Sequence, residues 1–304
     1  MTKIFDTHSH YMPPQVAQNT TFFKVNWSDI DRQLAVMDQN GIEKSLLLYP
    51  TSDAHLNMGG WGNLSRIYND AIAEVVKKYP SRFIGAGILP VDDPDAILDE
   101  LKRFSDLDLK VVSLASSYSG RYLDEGIFFS VYEFCSEKKI PIHVHPQIMN
   151  PIGEDRVQDP LLTPVLEYVF DVSIAIGKMM MSGVFTKFSD VKFIFAHYGG
   201  VLPFVKERFD NTYTMLRKRN FVKDLGKQPS EYFQNLYFDV SGSKSAASLL
   251  CALELTDAKH ILWGSDYPAN QNVADSIAAI RNATLSATQV TEIFQNNFSE
   301  IISQ

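Results

Sequence analysis

The sequence predicts an α/β protein folded as one (β/α)8 barrel over residues 1–304. Short apolar runs alternate with longer helical patterns from one end of the chain to the other, which is typical of parallel βα units. Several runs, such as Val111-Val112 and Phe193-Ile194-Phe195, are apolar on both faces. Parallel strands that are covered on both sides have this composition. Because no linker, internal repeat or low-complexity segment divides the sequence, we expect a single domain.

Eight runs are predicted as strands because they are short, apolar and rich in β-branched or aromatic residues. In chain order they are Lys3–His8, Lys44–Tyr49, Phe83–Leu89, Lys110–Leu114, Ile140–His145, Lys192–His197, Leu236–Val240 and Lys259–Gly264. The carboxyl ends of barrel strands meet on one rim, so we expect the residues that end these runs to share a site.

Helix signals lie between the strands. Ser28 is a candidate N-cap for the first helix, Gly41 follows its end, and Asp93-Pro94 opens the third with proline in the first turn. The predicted helices are Asp29–Gln39, Asn63–Lys78, the helix opened by Asp93-Pro94, Gly126–Lys138, Leu162–Phe188, Val201–Tyr213, Ser245–Leu255, Val273–Arg281 and a terminal helix, Ser286–Ile302.

Two long connections follow predicted strands. Residues 51–62 follow the second strand and residues 147–163 follow the fifth, and long loops at this end of a barrel usually cover the active site. A third segment, residues 213–234, mixes basic and aromatic residues. We expect this segment to be an excursion that could reach another subunit.

Composition excludes several classes of function. A hydrophobic content of 45% with 21% charged residues is ordinary for a globular enzyme. The net charge of −8 argues against a nucleic-acid partner, and the one basic cluster, Arg217-Lys218-Arg219, is interpreted as a solvated face. Cys135 and Cys251 lie far apart, which favours a reducing compartment. With neither a signal-peptide pattern nor a membrane-length apolar run, we expect a cytoplasmic protein.

The first strand ends in two histidines, in the run Asp6-Thr7-His8-Ser9-His10. Side chains alternate along a strand, so His8 and His10 point the same way and could hold a divalent metal together. A hydrogen-bonded pair of buried histidines is the alternative.

Other strand ends carry further metal-ligand types. The fifth strand ends in His143-Val144-His145-Pro146, the sixth in His197, and the eighth is followed by Asp266. Five of the seven histidines lie at strand ends, which favours a metal site over scattered core histidines. His143 has the parity of His145 but lies one layer deeper, so we interpret it as a buried support.

These residues belong to a set of motifs that resembles the amidohydrolase-2 branch of the amidohydrolase superfamily, whose members include aminocarboxymuconate semialdehyde decarboxylase and the resorcylate-type decarboxylases. The motifs follow the family's order and span nearly the whole chain. They are Asp6-Thr7-His8-Ser9-His10, Asn69-Asp70-Ala71-Ile72-Ala73, Tyr79-Pro80-Ser81-Arg82-Phe83, Leu123-Asp124, Val144-His145-Pro146, Gly183-Val184-Phe185, Ala196-His197-Tyr198-Gly199-Gly200 and Gly264-Ser265-Asp266-Tyr267-Pro268.

The resemblance implies a distorted barrel of the metal-dependent hydrolase type with one divalent metal, zinc in most members and manganese in some. It implies His8, His10, His145 and Asp266 as ligands, with His197 as a catalytic histidine. It also implies a homodimer. The fourth strand ends without the lysine that bridges two metals in binuclear relatives, which favours a mononuclear site. Tyr198 stands where many relatives have glycine.

The reaction that the resemblance implies is the non-oxidative decarboxylation of an unsaturated or aromatic carboxylic acid. The metal would hold the substrate's carboxylate or a neighbouring hydroxyl, and Asp266 would shuttle a proton to the carbon that loses carbon dioxide. His197 would orient a water or stabilise negative charge.

Candidate substrate contacts lie in the loops. Trp61 and Tyr267 could stack on a flat substrate, and Arg121 is a candidate for binding its carboxylate because the guanidinium fork matches two oxygens. Arg66 and the basic cluster of a neighbouring subunit are alternatives. For each of these side chains, ordinary surface or rim packing is equally consistent with the sequence.

Three other functions remain open. A water bound to the same metal could hydrolyse a lactone or an amide on this scaffold. A phosphoesterase of the polymerase-and-histidinol-phosphatase type also begins with an HxH strand, but it usually needs more His and Glu ligands. A barrel retained only for binding is the third, and the complete ligand set argues against it.

Overall fold

The computed structural model describes residues 3–23, 25–153 and 159–303, with only the backbone of residue 25. Within these residues ten strands are found: β1 (Ile4–His10), β2 (Ile42–Leu48), β3 (Phe83–Gly87), β4 (Leu109–Ala115), β5 (Ser117–Tyr118), β6 (Arg121–Tyr122), β7 (Ile142–His145), β8 (Phe193–Phe195), β9 (Tyr237–Asp239) and β10 (Ile261–Leu262). Eight form one parallel sheet in the order β1-β2-β3-β4-β7-β8-β9-β10. The short pair β5 and β6 forms a separate antiparallel hairpin that the sequence did not predict.

The barrel closes between β1 and the segment that follows β10. The amide of Thr7 donates to the Trp263 carbonyl at 3.0 Å, and the amide of Asp266 donates to the His8 carbonyl at 2.8 Å. A parallel bridge between Ser9 and Tyr267 continues the contact. The predicted distorted (β/α)8 barrel is therefore confirmed, and its closure places Asp266 beside the end of β1.

Helices surround the sheet. In the described residues they are α1 (Pro14–Ala17), α2 (Ile30–Asn40), α3 (Ala54–Asn57), α4 (Trp61–Lys78), α5 (Pro94–Asp106), α6 (Phe129–Lys138), α7 (Tyr168–Ser182), α8 (Val184–Lys187), α9 (Leu202–Lys218), α10 (Pro229–Phe233), α11 (Ala246–Leu255), α12 (Val273–Arg281), α13 (Ala287–Thr291) and α14 (Asn297–Ile302). Short 3-10 turns and two π-helical turns, Thr163–Glu167 and Glu292–Asn296, join some of them. Among the residues described, none of these helices combines the length and apolar character of a membrane span.

The core has two parts. A large apolar cluster fills the space between the sheet and its helices. A second cluster gathers alternate residues of several strands, among them Leu46 and Leu48 of β2, with Phe298 and Ile301 of α14. The terminal helix therefore packs against side chains of one face of the sheet. The strands are apolar on both faces because both clusters contain strand side chains.

Helix boundaries differ from the prediction where local chemistry decides them. The N-cap of α2 is Asp29, whose carboxylate accepts from the Arg32 amide, while the Ser28 hydroxyl donates to the Met12 carbonyl instead. The predicted helix over residues 162–188 is interrupted at Gly183, where φ is 88°. A left-handed residue ends a helix, so α8 begins as a new element.

The predicted excursion over residues 213–234 folds back onto its own helix. Arg217 of α9 pairs with Asp224 at 2.8 Å, and the hydroxyl of Tyr213 accepts from the Leu225 amide. The loop predicted over residues 147–163 is described except for residues 154–158, which lie outside the described part of the chain.

Candidate metal centre

Two histidines of β1 and one aspartate form the first half of the site. His8 and His10 are both buried, and their Nε2 atoms lie 3.0 Å apart. The Oδ1 atom of Asp266 lies 3.5 Å from Nε2 of His8 and 3.3 Å from Nε2 of His10. The strand parity predicted from the sequence is thus realised, and the barrel closure adds a carboxylate to it.

His145 completes the cluster from the end of β7. Its ring centroid lies 5.1 Å from that of His8 and 4.8 Å from that of His10. One donor atom from each of the four residues lies within 4.8 Å of the other three. A single ion at the centre of such a group would reach three nitrogens and one oxygen, which suits a divalent metal.

The outer nitrogen of each ring has an acceptor. Nδ1 of His8 donates to Asp239 Oδ2 at 2.9 Å, Nδ1 of His145 donates to the Pro146 carbonyl at 2.9 Å, and Nδ1 of His10 lies 3.4 Å from the Leu48 carbonyl. These partners assign the proton to Nδ1, so the three Nε2 lone pairs are left for the centre of the cluster. Lone pairs converge favourably only around a cation, so the residues fit a bound metal.

Electrostatics keep these groups in the form that binds a metal. Burial lowers the pKa of His8 to about 4 and holds that of His145 well below its usual value. Burial alone would raise the pKa of Asp266, but the close contacts with His10 and His8 outweigh burial and lower that pKa. The site therefore offers the neutral imidazoles of His8 and His145 and a carboxylate at neutral pH.

Asp239 of β9 is a buried carboxylate that the sequence analysis missed. Its Oδ2 accepts from His8 Nδ1 and from His143 Nε2 at 3.0 Å, and its Oδ1 accepts from the amides of His197 and Ser241. Burial would raise its pKa, but His8 and His143 outweigh burial and hold the pKa well below the usual value. An acidic residue at the end of an otherwise apolar strand was the available signal.

His197 lies at the rim beside the cluster. Its ring centroid is 5.2 Å from that of His8, and its Nδ1 lies 2.9 Å from the Ser241 hydroxyl. The backbone at His197 is left-handed, with a φ of 51°. Ser241, a second residue that the sequence analysis missed, thus orients the ring by its contact with Nδ1 rather than with Nε2.

Two glycines of the recognised motifs are required sterically. A Cβ on Gly264 would lie 2.5 Å from the His8 Cβ, so only glycine lets the segment after β10 approach β1. A Cβ on Gly200 would lie 2.0 Å from the Val169 carbonyl oxygen, and its φ is +73°. These close approaches explain why glycine flanks both Asp266 and His197 in the sequence.

A cavity of about 790 Å³ opens above the cluster. The loop before α2 and the long loop after β7 contribute most of its lining. The lining comprises His10, Phe22, Phe23, Trp27, Pro50, His145, Ile148, Met149, Asn150, Asp159, Pro160, Thr163, Pro164, Tyr168, His197, Asp266 and Ala269. This volume is within the range of small-molecule sites in proteins.

The three predicted substrate contacts are not part of this lining. Trp61 is buried at the start of α4 and stacks on His55, with ring centroids 4.6 Å apart. Tyr267 is buried in the barrel closure. Arg121 lies exposed on the hairpin formed by β5 and β6. Trp27 lies beside His10 instead, with ring centroids 5.7 Å apart.

A (β/α)8 barrel with three imidazoles and a carboxylate converging at its strand ends, below a cavity, defines a metal-binding barrel protein with a small-molecule site. The chain belongs to the amidohydrolase family, because residues 5–297 match the sequence model described as Amidohydrolase. This match covers every residue of the cluster, and it confirms the resemblance that the motifs predicted.

Curated relatives within this family are named decarboxylases. The chain is 30% identical over 212 residues to 2-amino-3-carboxymuconate-6-semialdehyde decarboxylase of Dictyostelium discoideum, a match that covers 68% of this chain and 56% of the relative. It is 28% identical over 286 residues to gamma-resorcylate decarboxylase of a Polaromonas species, covering 88% of this chain and 85% of the relative.

Solved structures share the fold over the whole chain. A 5-carboxyvanillate decarboxylase from Sphingomonas paucimobilis superposes with a TM-score of 0.89 at 23% identity, covering 100% of this chain and 99% of the other. A dihydroxybenzoic acid decarboxylase from Polaromonas, solved with manganese and 2-nitroresorcinol, gives 0.86 at 23% identity, covering 100% and 97%.

Proposed function

We propose that the protein is a metal-dependent, non-oxidative decarboxylase of an aromatic carboxylic acid. The observation that carries the proposal is the convergence of His8, His10, His145 and Asp266 under a cavity of about 790 Å³. The curated relatives described above are named decarboxylases, so they favour this reaction over hydrolysis of a lactone or an amide.

Asp266 is the proposed proton donor to the ring carbon that carries the carboxylate. A divalent ion in the cluster would hold the substrate's carboxylate or hydroxyl and withdraw electrons from it. When the ring carbon takes the proton, the bond to the carboxylate breaks, its electron pair restores the ring, and carbon dioxide leaves. Because the pKa of Asp266 is lowered, the resting carboxylate is ionised, and the proton must come from the substrate or from solvent. A hydroxyl beside the carboxylate is a suitable source.

His197 is the proposed catalytic partner of Asp266. Its Nδ1 is engaged by Ser241, so its Nε2 is the atom available to a substrate in the cavity. From there it can donate to the carboxylate and hold it so that the breaking bond stays perpendicular to the ring. That alignment lets the electron pair enter the ring, which lowers the barrier.

Zinc is the ion that we propose first, with manganese as the alternative. Three imidazoles and a carboxylate accept both ions, and the manganese in the dihydroxybenzoic acid decarboxylase structure supports the alternative. Elemental analysis of purified protein, followed by chelation and reconstitution with each ion, would identify it. We expect one ion per chain.

We also propose that the chain is one domain and that the protein is cytoplasmic.

We further propose that the protein forms a homodimer. An apolar groove between α7 and α9 supports a subunit contact: Phe170, Met181 and Phe209 line it. Light scattering on the purified protein would measure the mass of the assembly. A monomer at micromolar concentration would contradict the dimer.

The activity is tested by carbon dioxide release from a panel of hydroxybenzoates incubated with the metal-loaded protein. Decarboxylation of at least one acid, lost after Asp266→Asn, is the expected result. Lactone or amide opening without carbon dioxide release would instead establish the hydrolase. Failure of both reactions with a full complement of metal would contradict the proposal.

A further inference from the structure

Asp171 of α7 is a buried carboxylate, outside the metal cluster, that contacts several segments of the chain at once. Its Oδ2 accepts hydrogen bonds from the hydroxyls of Ser116 and Ser117, the second at 2.9 Å. Its Oδ1 accepts from the Tyr122 hydroxyl at 3.0 Å and from the Ile152 amide at 3.1 Å. A buried carboxylate is stable when such donors surround it. Asp171 therefore joins the end of β4, the hairpin of β5 and β6, and the loop after β7.

Ser116 connects this carboxylate to the strand end beside the metal cluster. Its hydroxyl donates to Asp171 and accepts from the Gln147 amide at 2.8 Å. Its own amide donates to the carbonyl of His145 at 2.8 Å, and His145 is a member of the cluster. Ser116 thus contacts the buried carboxylate, the first residues of the loop after β7 and the end of β7 itself.

The side chain of Gln147 extends these contacts into the cavity lining. Its Nε2 donates to the Ser117 carbonyl at 2.7 Å, and its Oε1 accepts from the Met149 amide at 2.9 Å. Residues 148–150 line the cavity above the cluster. The cavity-lining part of the loop is therefore fixed from its first residue by hydrogen bonds of a buried glutamine.

We propose that Asp171 is a positioning residue for the reaction, because it holds residues 148–150 in place as one wall of the cavity. The inference rests on the proposed function, which makes this cavity the substrate site. Ahead of the wall, Asp171 acts through Ser116 on Gln147. Behind the wall, it binds the Ile152 amide directly. Both ends of the wall thus depend on one carboxylate.

The metal cluster does not depend on Asp171 in the same way. β4 pairs with β7 up to His145, and the outer nitrogen of His145 donates to the Pro146 carbonyl. These contacts remain when the carboxylate is lost. A weakened wall should therefore reduce substrate binding and leave the metal in place.

The first test is Asp171→Asn, which keeps the size of the side chain but leaves only one oxygen that can accept. In the metal-loaded enzyme, KM for the best hydroxybenzoate should rise at least about tenfold, with kcat within about threefold of the wild-type value and metal content unchanged. An unchanged KM would overturn the inference. Loss of the metal would also overturn it, because the residue would then act on the floor.

Asp210→Asn is the matched control. Asp210 of α9 accepts from the amide of Ser230 at 3.0 Å and from its hydroxyl at 2.7 Å, so it also anchors a neighbouring segment to a helix. It is not among the described residues that line the cavity. KM should stay at the wild-type value in this variant. An equal rise in KM would show that loss of any such anchor weakens binding, and would overturn the specific role of Asp171.

Two further variants locate the effect within the contacts. Gln147→Leu removes both side-chain hydrogen bonds beside Met149 and should raise KM as Asp171→Asn does. Tyr122→Phe removes only the donor on β6 and should leave KM within about twofold of the wild-type value. An equal rise in Tyr122→Phe would place the effect in the hairpin and overturn the role of the loop. Gln147→Leu keeps the test decisive even if Asp171→Asn does not fold.

Hydrogen exchange separates failure of this inference from failure of the proposed function. If no acid releases carbon dioxide, the proposed function is wrong, but exchange of the backbone amides still reports on the loop. In Asp171→Asn, amides of residues 147–153 should exchange at least about tenfold faster, and in Asp210→Asn they should exchange at the wild-type rate. Unchanged exchange in Asp171→Asn would overturn the inference whatever the activity of the enzyme.

Discussion

The floor and the walls of the cavity are constructed differently. On the floor, His8, His10 and His145 are each at most 6% exposed, and each ring has a hydrogen-bond partner on its outer side. On the walls, Phe22 is 76% exposed, and the neighbouring residues come from loops. The difference indicates that strand ends fix the atoms of the candidate metal cluster, while loops line the space in which a small molecule would bind.

The largest effect on activity should come from removing one side chain of the metal cluster at the cavity floor. His145→Ala removes one nitrogen from the cluster and should lower kcat/KM by at least about 10³-fold, because metal binding and activation both depend on it. Metal content and carbon dioxide release are the measurements. His260→Ala is the matched control, since His260 pairs with Asp257 near the surface. Comparable losses in both variants would contradict a special role for His145.

A smaller loss of metal affinity or activity is expected for Asp239, which lies behind His8. In the wild-type protein, the two carboxylate oxygens of Asp239 accept four hydrogen bonds. Asp239→Asn leaves only one oxygen that can accept, so His8 loses its fixed orientation. Metal affinity or activity should fall about 10–100-fold, as measured by competition with a chelator. Asp257→Asn changes the surface Asp–His pair in the same way and should leave affinity unchanged. An unchanged affinity in Asp239→Asn would show that the barrel alone orients His8.

A third variant addresses the rim between the floor and the walls. Ser241→Ala removes the hydroxyl beside His197 Nδ1 and should lower kcat about fivefold, the cost of one hydrogen bond. Metal content should not change, because Ser241 is not part of the cluster. Ser241→Thr keeps the hydroxyl and should restore most of the rate. Loss of metal in Ser241→Ala would show instead that Ser241 acts on metal binding.

The smallest effect is expected on a wall. Trp27→Leu keeps an apolar side chain but removes the aromatic surface beside His10, so KM should rise about two- to tenfold with little change in kcat. Steady-state kinetics with the best hydroxybenzoate measures the two constants separately. A large fall in kcat with unchanged KM would show that the wall participates in the reaction itself.

Much of the floor could be predicted from the sequence. His8 and His10 share a face by strand parity, and the ends of parallel strands meet on one rim, so local patterns already imply convergence. Asp239 was missed because one aspartate after an apolar strand resembles many surface aspartates. Its importance depends on burial beside His8 and His143, which no local pattern encodes.

The walls could not be predicted in the same way. Trp61 and Tyr267 were candidates because they could stack on a flat substrate, and Arg121 because its guanidinium could bind a carboxylate. The structure buries the two aromatic residues, leaves Arg121 exposed, and forms the described cavity lining from other residues. Trp27 carries no motif and reaches the site because the loop before α2 folds over β1, where Met12 donates to the Trp27 carbonyl. Loop paths depend on such distant contacts.

The sequence by itself determined the class of fold, the family and the residues of the candidate metal cluster, because strand periodicity and short motifs are local properties of the chain. Only the tertiary structure decided the carboxylate that supports His8, the hydroxyl beside His197 and the lining of the cavity. These depend on residues far apart in the chain being brought together, with Asp239 separated from His8 by 231 positions. Their contacts exist only after the barrel has closed.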